Sequence, residues 1–413
     1  MSKIDEMIAG LCPDGVEYKR LEEISSKANN IRWKDKLGES KFYVDLSSVD
    51  VLTHRIGELV EVDESSAPSR AKQIIQSGDL IFATTRPTQM RCCVVPDELD
   101  GQLCSTGYCV LRINRGVDNR FVFHALTSDS FKMYLQENQS EGNYPAISDR
   151  CLRRYEIPVP PVEIQREVVR ILDSFAELEA ELEAELEARK AQYAYYRDRL
   201  LSPSVLDDLN GTLITSTLGE LMTIQRGASP RPIKQFITKD PNGIPWIKIG
   251  DVSSNGKFIE HTQERITHEG ASKSRLLHTG AFVLSNSMSW GRPYILKTDG
   301  CIHDGWLSLT GFEHVYLPDF LFHLLKSTTV QRYWSMKVNT GSVSNLNADL
   351  VKATPVPVPS LETQQKVVDI LDRFDALTTS LTDGLPAEIE ARRQQYEYYR
   401  DKLLSFPRKE SAA

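Results

Sequence analysis

Between Pro158 and Ser202 the side chains facing one way repeat at steps of four and three: Ile164, Val168, Ile171, Phe175, Leu178, Leu182, Leu186, Arg189, Tyr193, Tyr196 and Leu200. That is the seam of a coiled-coil helix, with one extra step of four between Leu182 and Leu186 that reads as a stutter. About forty helical residues make a rod of roughly 60 Å, which needs a partner along its length. The sequence offers one, because the stretch occurs twice. Gln165, Ile171, Leu172, Asp173 and Phe175 recur 199 positions later as Gln364, Ile370, Leu371, Asp372 and Phe374. After a slip of four, Tyr193, Tyr195, Tyr196, Arg197, Asp198, Leu200, Leu201 and Ser202 recur 203 positions later as Tyr396, Tyr398, Tyr399, Arg400, Asp401, Leu403, Leu404 and Ser405. The second seam runs Val367, Ile370, Phe374, Leu377, Leu381, then Tyr396, Tyr399 and Leu403.

Each rod follows a globule with a different period. VEYKRLEEIS, KFYVDLSSVD, GDLIFATT, CCVVP and GYCVLRIN have the short apolar or alternating pattern of strands. FVFHALTSDSFKMYLQ reads as one closing helix, and EGNYPAISDRCLRRYEIPVPP as an irregular lead into the rod, where proline is tolerated because the first helical N–H groups lack internal acceptors. The second globule answers in kind: TSTLGELMTI, GAFVLSNS, HDGWLSLTGF and FLFHLLKSTTVQRYW match YKRLEEIS, GDLIFATT, STGYCVLRIN and FVFHALTSDSFKMYL. QRGASPRPIKQF and GIPWIKIGDVSSNGKF find no counterpart. The expected fold is mixed α/β (α+β): two pseudo-twofold-related globular domains joined by two long antiparallel helices forming a coiled coil. Its divisions are a lead-in at 1–15, a first domain at 16–157, a central helix at 158–208, a second domain at 209–355, and a C-terminal helix and tail at 356–413. Two similar bodies carrying unlike loops suit a long polymer with its own local dyad, and this suggests a bipartite DNA site.

Charge modifies that picture without cancelling it. The 413 residues carry a net charge of -8, which argues against a polyanionic partner. The excess is local: residues 158–208 hold 6 Lys and Arg against 12 Asp and Glu, whereas 209–355 hold 15 against 11. Seven cysteines without a CxxC pair indicate buried thiols, although Cys92, Cys93, Cys104 and Cys109 could in principle gather round a metal. No apolar run reaches membrane-span length and the N-terminus lacks a signal-peptide pattern, so a cytoplasmic protein without membrane contact is expected. GxxxxGK[ST], GxGxxG, GxSxG and HExxH are absent, as are the Asn-Pro-Pro-aromatic and Asp-Pro-Pro-aromatic tetrapeptides of amino-methyltransferases. Asp14, Glu17 and Lys19 only loosely imitate a nuclease motif, and His54, His124 and His323 read as satisfied structural histidines. No active site, metal site or cofactor site is expected.

The duplicated ILDxF and YxYYRDxLLS segments, the AELE tract of the first rod, the second-half GLPAEIEARRQQYEYYRDKLLSF and the opening LCPDGVEYKRL resemble the specificity (S) subunit of type I restriction-modification enzymes. The resemblance covers essentially the whole chain. It implies a non-catalytic subunit whose globules are target recognition domains on double-stranded DNA. It also implies two adenine-N6 methyltransferase subunits using S-adenosylmethionine and, in the restricting form, two translocase-nuclease subunits using ATP and Mg. Candidate DNA-contacting residues follow from side chain and loop position: Arg32, Lys34, Lys36, Thr85, Arg86, Gln89, Asn143 and Tyr144 in the first globule. In the second they are Arg226, Ser229, Arg231, Lys248, Asn286, Trp290, Arg292, Asn339, Ser342 and Asn345. Tyr193, Tyr195, Tyr196, Tyr396, Tyr398 and Tyr399 give the rods more aromatic surface than one seam can bury, since successive positions face different ways, and are candidates for docking methyltransferase subunits. The AELE tract, repeated at Ala176–Glu179, Ala180–Glu183 and Ala184–Glu187, is a candidate ruler for the spacing between half-sites.

Overall fold

The computed structural model describes residues 3–35, 39–252, 256–287, 290–338, 345–379 and 384–409. The chain divides into two compact units, Met1–Glu181 with Glu390–Ala413, and Leu182–Ile389. Both cuts fall inside the rods, so each unit holds one globule and part of each rod.

The first unit begins with α1 (Lys3–Leu11), β1 (Tyr18–Arg20), α2 (Leu21–Ile24) and β2 (Ser25–Ser26). Then come β3 (Lys41–Val44), β4 (Val60–Val62), β5 (Ala71–Ile74), β6 (Leu80–Ala83), β7 (Cys92–Val94), β8 (Leu103–Ser105) and β9 (Tyr108–Ile113). α3 (Asn119–Leu126), α4 (Asp129–Asn138), α5 (Asp149–Leu152) and β10 (Glu156–Pro158) lead into the long helix α6 (Val162–Leu200). Two four-stranded sheets form, ordered β2-β9-β6-β7 and β4-β3-β8-β5, with only β3 and β8 parallel. Alternation along the strands feeds two cores. Leu80 and Phe82 of β6, Cys92 of β7, and Cys109 and Leu111 of β9 join a core with α1, α3 and α4. Ile81, Ala83, Cys93, Tyr108 and Val110 join Val44 and Cys104 in the other. The adjacent Cys92 and Cys93 thus point into different cores, Cys109 with the first and Cys104 with the second, so the four thiols do not converge on a metal.

The second unit takes up α6 at Leu182 and continues with α7 (Pro203–Asn210), β11 (Ile214–Thr217), α8 (Leu218–Leu221), β12 (Thr223–Arg226) and β13 (Ile237–Thr238). β14 (Ile244–Ile247), β15 (Phe258–Ile259), β16 (Glu264–Ile266), α9 (His268–Ser272) and β17 (Arg275–Leu277) follow. The globule closes with β18 (Phe282–Ser285), β19 (Pro293–Leu296), β20 (Gly300–Ile302), β21 (Trp306–Thr310), α10 (Pro318–Lys326), α11 (Thr328–Val338), α12 (Ala348–Lys352) and β22 (Pro355–Val358). α13 (Leu361–Thr379) and α14 (Leu385–Leu403) make the second rod. The sheets run β12-β21-β18-β19-β15 and β13-β16-β14-β20-β17. β14 pairs β20 in parallel just as β3 pairs β8.

Several expectations are corrected. GIPWIKIGDV does have a counterpart, because β14 occupies the place of β3, and the 3-10 turn Ile233–Gln235 within QRGASPRPIKQF answers Trp33–Asp35. The match lies in backbone pairing, which tolerates exchange of nearly every side chain. The strand expected at VEYKRLEEIS is broken by the helical turn α2, and EGNYPAISDRCLRRYEIPVPP contains α5 and β10. FVFHALTSDSFKMYLQ is two helices, because Ser128 turns the chain and its hydroxyl caps α4 by accepting from Phe131 N at 3.3 Å. The second rod comprises α13 and α14, and residues 380–383 between them lie outside the described residues. The four residues by which the copies differ in length fall between Phe374 and Tyr396, and Pro386 sits in the first turn of α14, where a missing N–H is tolerated. Leu381 lies outside the described residues.

The duplicated letters of the rods each have a repeated job. Gln165 accepts from Asp118 N and donates to Pro160 O; Gln364 accepts from Leu317 N and donates to Pro359 O. Asp173 holds His124 Nε2 at 2.8 Å, and the other ring nitrogen meets the Tyr396 hydroxyl at 3.0 Å. Asp372 holds His323 Nε2 at 2.8 Å, and Tyr193 meets its Nδ1 at 2.8 Å. Both histidines are fully buried, with Nε2 facing the carboxylate and Nδ1 facing the tyrosine hydroxyl, contacts that an Nε2–H tautomer satisfies. Burial lowers the His124 and His323 pKa against the opposing pull of their aspartates. Phe175 stacks on Tyr399 and Phe374 on Tyr196. In each pair, one partner lies near the start of one rod and the other near the end of the other, so the rod segments run antiparallel within each unit.

Candidate nucleic-acid interface

In the first unit the structure joins two candidate segments that are far apart in sequence. Thr85 bridges Ala146, Arg86 N donates to Pro145 O at 2.7 Å, and Ile147 N donates to Thr84 O at 2.9 Å. This short ladder sets the Arg86 guanidinium 5.0 Å from the Tyr144 ring centroid, a cation–π contact on an open surface where Tyr144 is 73% exposed. Arg86 adopts a left-handed backbone (φ 50), uncommon for a side chain of its size and a sign that the loop is held in place. Gln89 and Asn143 are exposed nearby in sequence, and Gln89 accepts from Arg91 Nε at 3.3 Å. Arg32 and Lys34 are exposed beside the 3-10 turn; Lys36 lies outside the described residues.

In the second unit the candidates gather on a residue that sequence reasoning passed over. Asp304, in the turn between β20 and β21, accepts from Arg226 Nε (2.9 Å) and Asn286 Nδ2 (3.0 Å) through its main-chain carbonyl. Its carboxylate accepts from the Ser229 hydroxyl at 2.9 Å, lies 3.0 Å from His303 Nε2, and pairs with Arg231 at 3.7 Å. Burial alone would raise this carboxyl, but the Ser229 bond, the neighbouring His303 ring and the Arg226 charge hold it below the ordinary range. Gly227 makes the approach possible, since a Cβ there would lie 2.1 Å from the His303 carbonyl oxygen. Asn345 is exposed, and its neighbour Leu346 donates to Asn286 O at 2.9 Å, the same tie that Ile147 makes to Thr84.

The remaining candidates are dispersed. Lys248 pairs with Glu264 at 2.9 Å and Trp290 packs against the core. Arg292 is exposed beside Tyr294 and lines, with Lys190, Lys326 and Gln331, a cavity of about 310 Å³. Asn339 and Ser342 lie outside the described residues. The signal that would have found Asp304 is present in the sequence, because HDGW answers STGY in the first half.

Among the rod tyrosines, Tyr193 and Tyr396 are used by the buried histidines, and Tyr196 and Tyr399 by the stacked phenylalanines. Tyr195 and Tyr398 remain 58% and 61% exposed. The predicted seams also shift: Ile370 and Leu377 are exposed, while Val368 and Leu371 turn inward. Among the described residues no helix is long and apolar enough to cross a membrane.

The Type I restriction modification DNA specificity domain matches this chain twice, over residues 13–188 and 212–391. Each match spans one globule and reaches into a rod. The chain is 35% identical over 288 residues to the Escherichia coli type I restriction enzyme EcoR124I/EcoR124II specificity subunit, covering 66% of this chain and 69% of that one. It is 30% identical over 411 residues to a Haemophilus influenzae protein bearing the name of a type I restriction enzyme specificity subunit, covering 95% and 96%. The fold agrees with a chain solved in work on complex assembly and conformational transition of the type I R-M system, with a TM-score of 0.70 at 24% identity over 94% of this chain and 97% of that one. It agrees less closely with the M. genitalium type I S subunit, with a TM-score of 0.51 at 15% identity over 94% and 96%. A DNA specificity protein is the class that fold and matches define. The chain belongs to the type I restriction-modification specificity (S) subunits, whose part is DNA recognition and not catalysis.

Proposed function

We propose that each unit reads one half of a bipartite double-stranded DNA site through the major groove, and that the rods fix the unspecified spacer between the halves. The observation that carries this reading is convergence. In each unit, polar and cationic side chains from separate loops are tied together, Arg86 with Tyr144 at the surface of one, and Arg226, Ser229 and Arg231 round Asp304 in the other, where the candidate Asn286 is buried and braces the turn from beneath. Phosphate contacts would set register and base-edge hydrogen bonds would choose sequence. The exposed Tyr195 and Tyr398, duplicated in sequence and still 58% and 61% exposed within their units, would dock two methyltransferase subunits. S-adenosylmethionine would belong to those partners, and ATP and Mg to two translocase-nuclease subunits of a restricting assembly. The place of action is then the cytoplasm.

One AELE unit is about 6 Å of helix against about 3.4 Å per base pair. Removing Ala180–Glu183 is expected to shorten the spacer by one or two base pairs and leave both half-sites unchanged. Mapping N6-methyladenine in a strain carrying the chain with its methyltransferase partner tests the whole reading. A methylated motif that is not split in two contradicts it.

A further inference from the structure

The two units use one hairpin turn in two chemistries. The strand registers Ala83↔Tyr108 and Ser285↔Trp306 make Ser105, Thr106 and Gly107 equivalent to His303, Asp304 and Gly305. The glycine carbonyl does the same work in both, accepting from Thr84 N and from Asn286 N. The first side chain also does the same work: Ser105 Oγ accepts from Gly107 N at 3.2 Å, and His303 Nδ1 accepts from Gly305 N at 2.8 Å. What changes is the middle position, an exposed threonine in one unit and the organised carboxylate of Asp304 in the other. A carboxylate among arginines on a DNA-facing surface repels phosphate, so its place there needs a different reason.

Building on the half-site reading above, we propose that Asp304 is a specificity-determining residue of the second unit that accepts a hydrogen bond from cytosine N4, with Arg231 beside it donating to guanine O6 and N7. Oδ1 is taken by Ser229 and His303. Oδ2 has the long 3.7 Å pairing with Arg231, whose side chain is 83% exposed, and so keeps capacity to accept. A carboxylate accepts only, which suits the cytosine amino group, whereas the N7 acceptor beside adenine N6 would oppose it. The surrounding bonds supply rigidity: Ser229 and His303 fix the carboxylate, and Gly227 lets their loops meet.

The test is methylation mapping of the wild-type chain, Asp304→Asn and Arg231→Ala, each with the methyltransferase partner. An asparagine of equal size adds a donor, so Asp304→Asn is expected to lose about 10- to 100-fold discrimination at one C·G position of one half-site. Arg231→Ala should relax the same or an adjacent position, and the other half-site should keep its bases in both variants. An unchanged motif, or relaxation in the other half-site, overturns the assignment. Should Asp304→Asn abolish methylation, binding of the purified complex to duplexes substituted one base pair at a time decides. Loss of discrimination at one position supports the assignment, and a uniform loss across all duplexes overturns it. A wild-type motif that is not bipartite would instead refute the half-site reading itself.

Discussion

Asp173 and Asp372 do at single-residue scale what the duplication does for the chain: each fixes a buried histidine whose other nitrogen is met by a tyrosine from the opposite rod. Replacing His323 by alanine leaves the buried Tyr193 hydroxyl without its partner and Asp372 with Lys257 alone, and is expected to cost about 2 to 3 kcal/mol in denaturant unfolding of the assembled protein. Acid should act on the same groups. Both histidines are held neutral in the fold but charge near pH 6.5 when unfolded. The unfolded chain therefore binds more protons, and stability should fall as pH drops below about 6.5. Asp173, held at about 2 although burial opposes this, adds a second loss as pH falls below about 4. Thermal unfolding against pH should show both declines in the wild-type and a weaker first decline in His124→Ala with His323→Ala. A first decline of equal size in that double variant would refute the assignment.

At the scale of elements, the rods show how far periodicity reaches. Stepping by three and four located α6 but treated every seam residue as equal. Leu182 is 9% exposed against Leu385 and Ile389, while Leu178, one step earlier, is 36% exposed. Leu182→Ala should cost about 2 to 4 kcal/mol and Leu178→Ala under about 0.5, as read by hydrogen exchange along α6. Periodicity cannot say which neighbour covers a face. Val368 and Leu371 are claimed by the globule, and this turns Ile370 outward. The strands were legible where apolar runs were long, as in β6 and β9. β14 hid because only its parallel pairing with β20 marks it as the counterpart of β3. At the surface, Arg86 and Tyr144 could be chosen singly by side chain, but their juxtaposition depends on a ladder between loops. Asp304 was missed because an acidic residue is not an obvious DNA ligand.

At the scale of the whole molecule, each rod enters both units, through α6 at Glu181 and through α14 at Ile389. Tyr195→Ala with Tyr398→Ala should weaken capture of the methyltransferase partner at least tenfold in titration, with unfolding unchanged because neither ring is buried. Removing Ala180–Glu183 advances the next AELE unit, so that Leu186 takes the place of Leu182 and the helix rotates by only about 40°. The most direct measurement is therefore the N6-methyladenine map of this deletion beside the wild-type. Two constant half-sites with a spacer shorter by one or two base pairs are predicted. An unchanged spacer with methylation retained, or altered half-site bases, would contradict it.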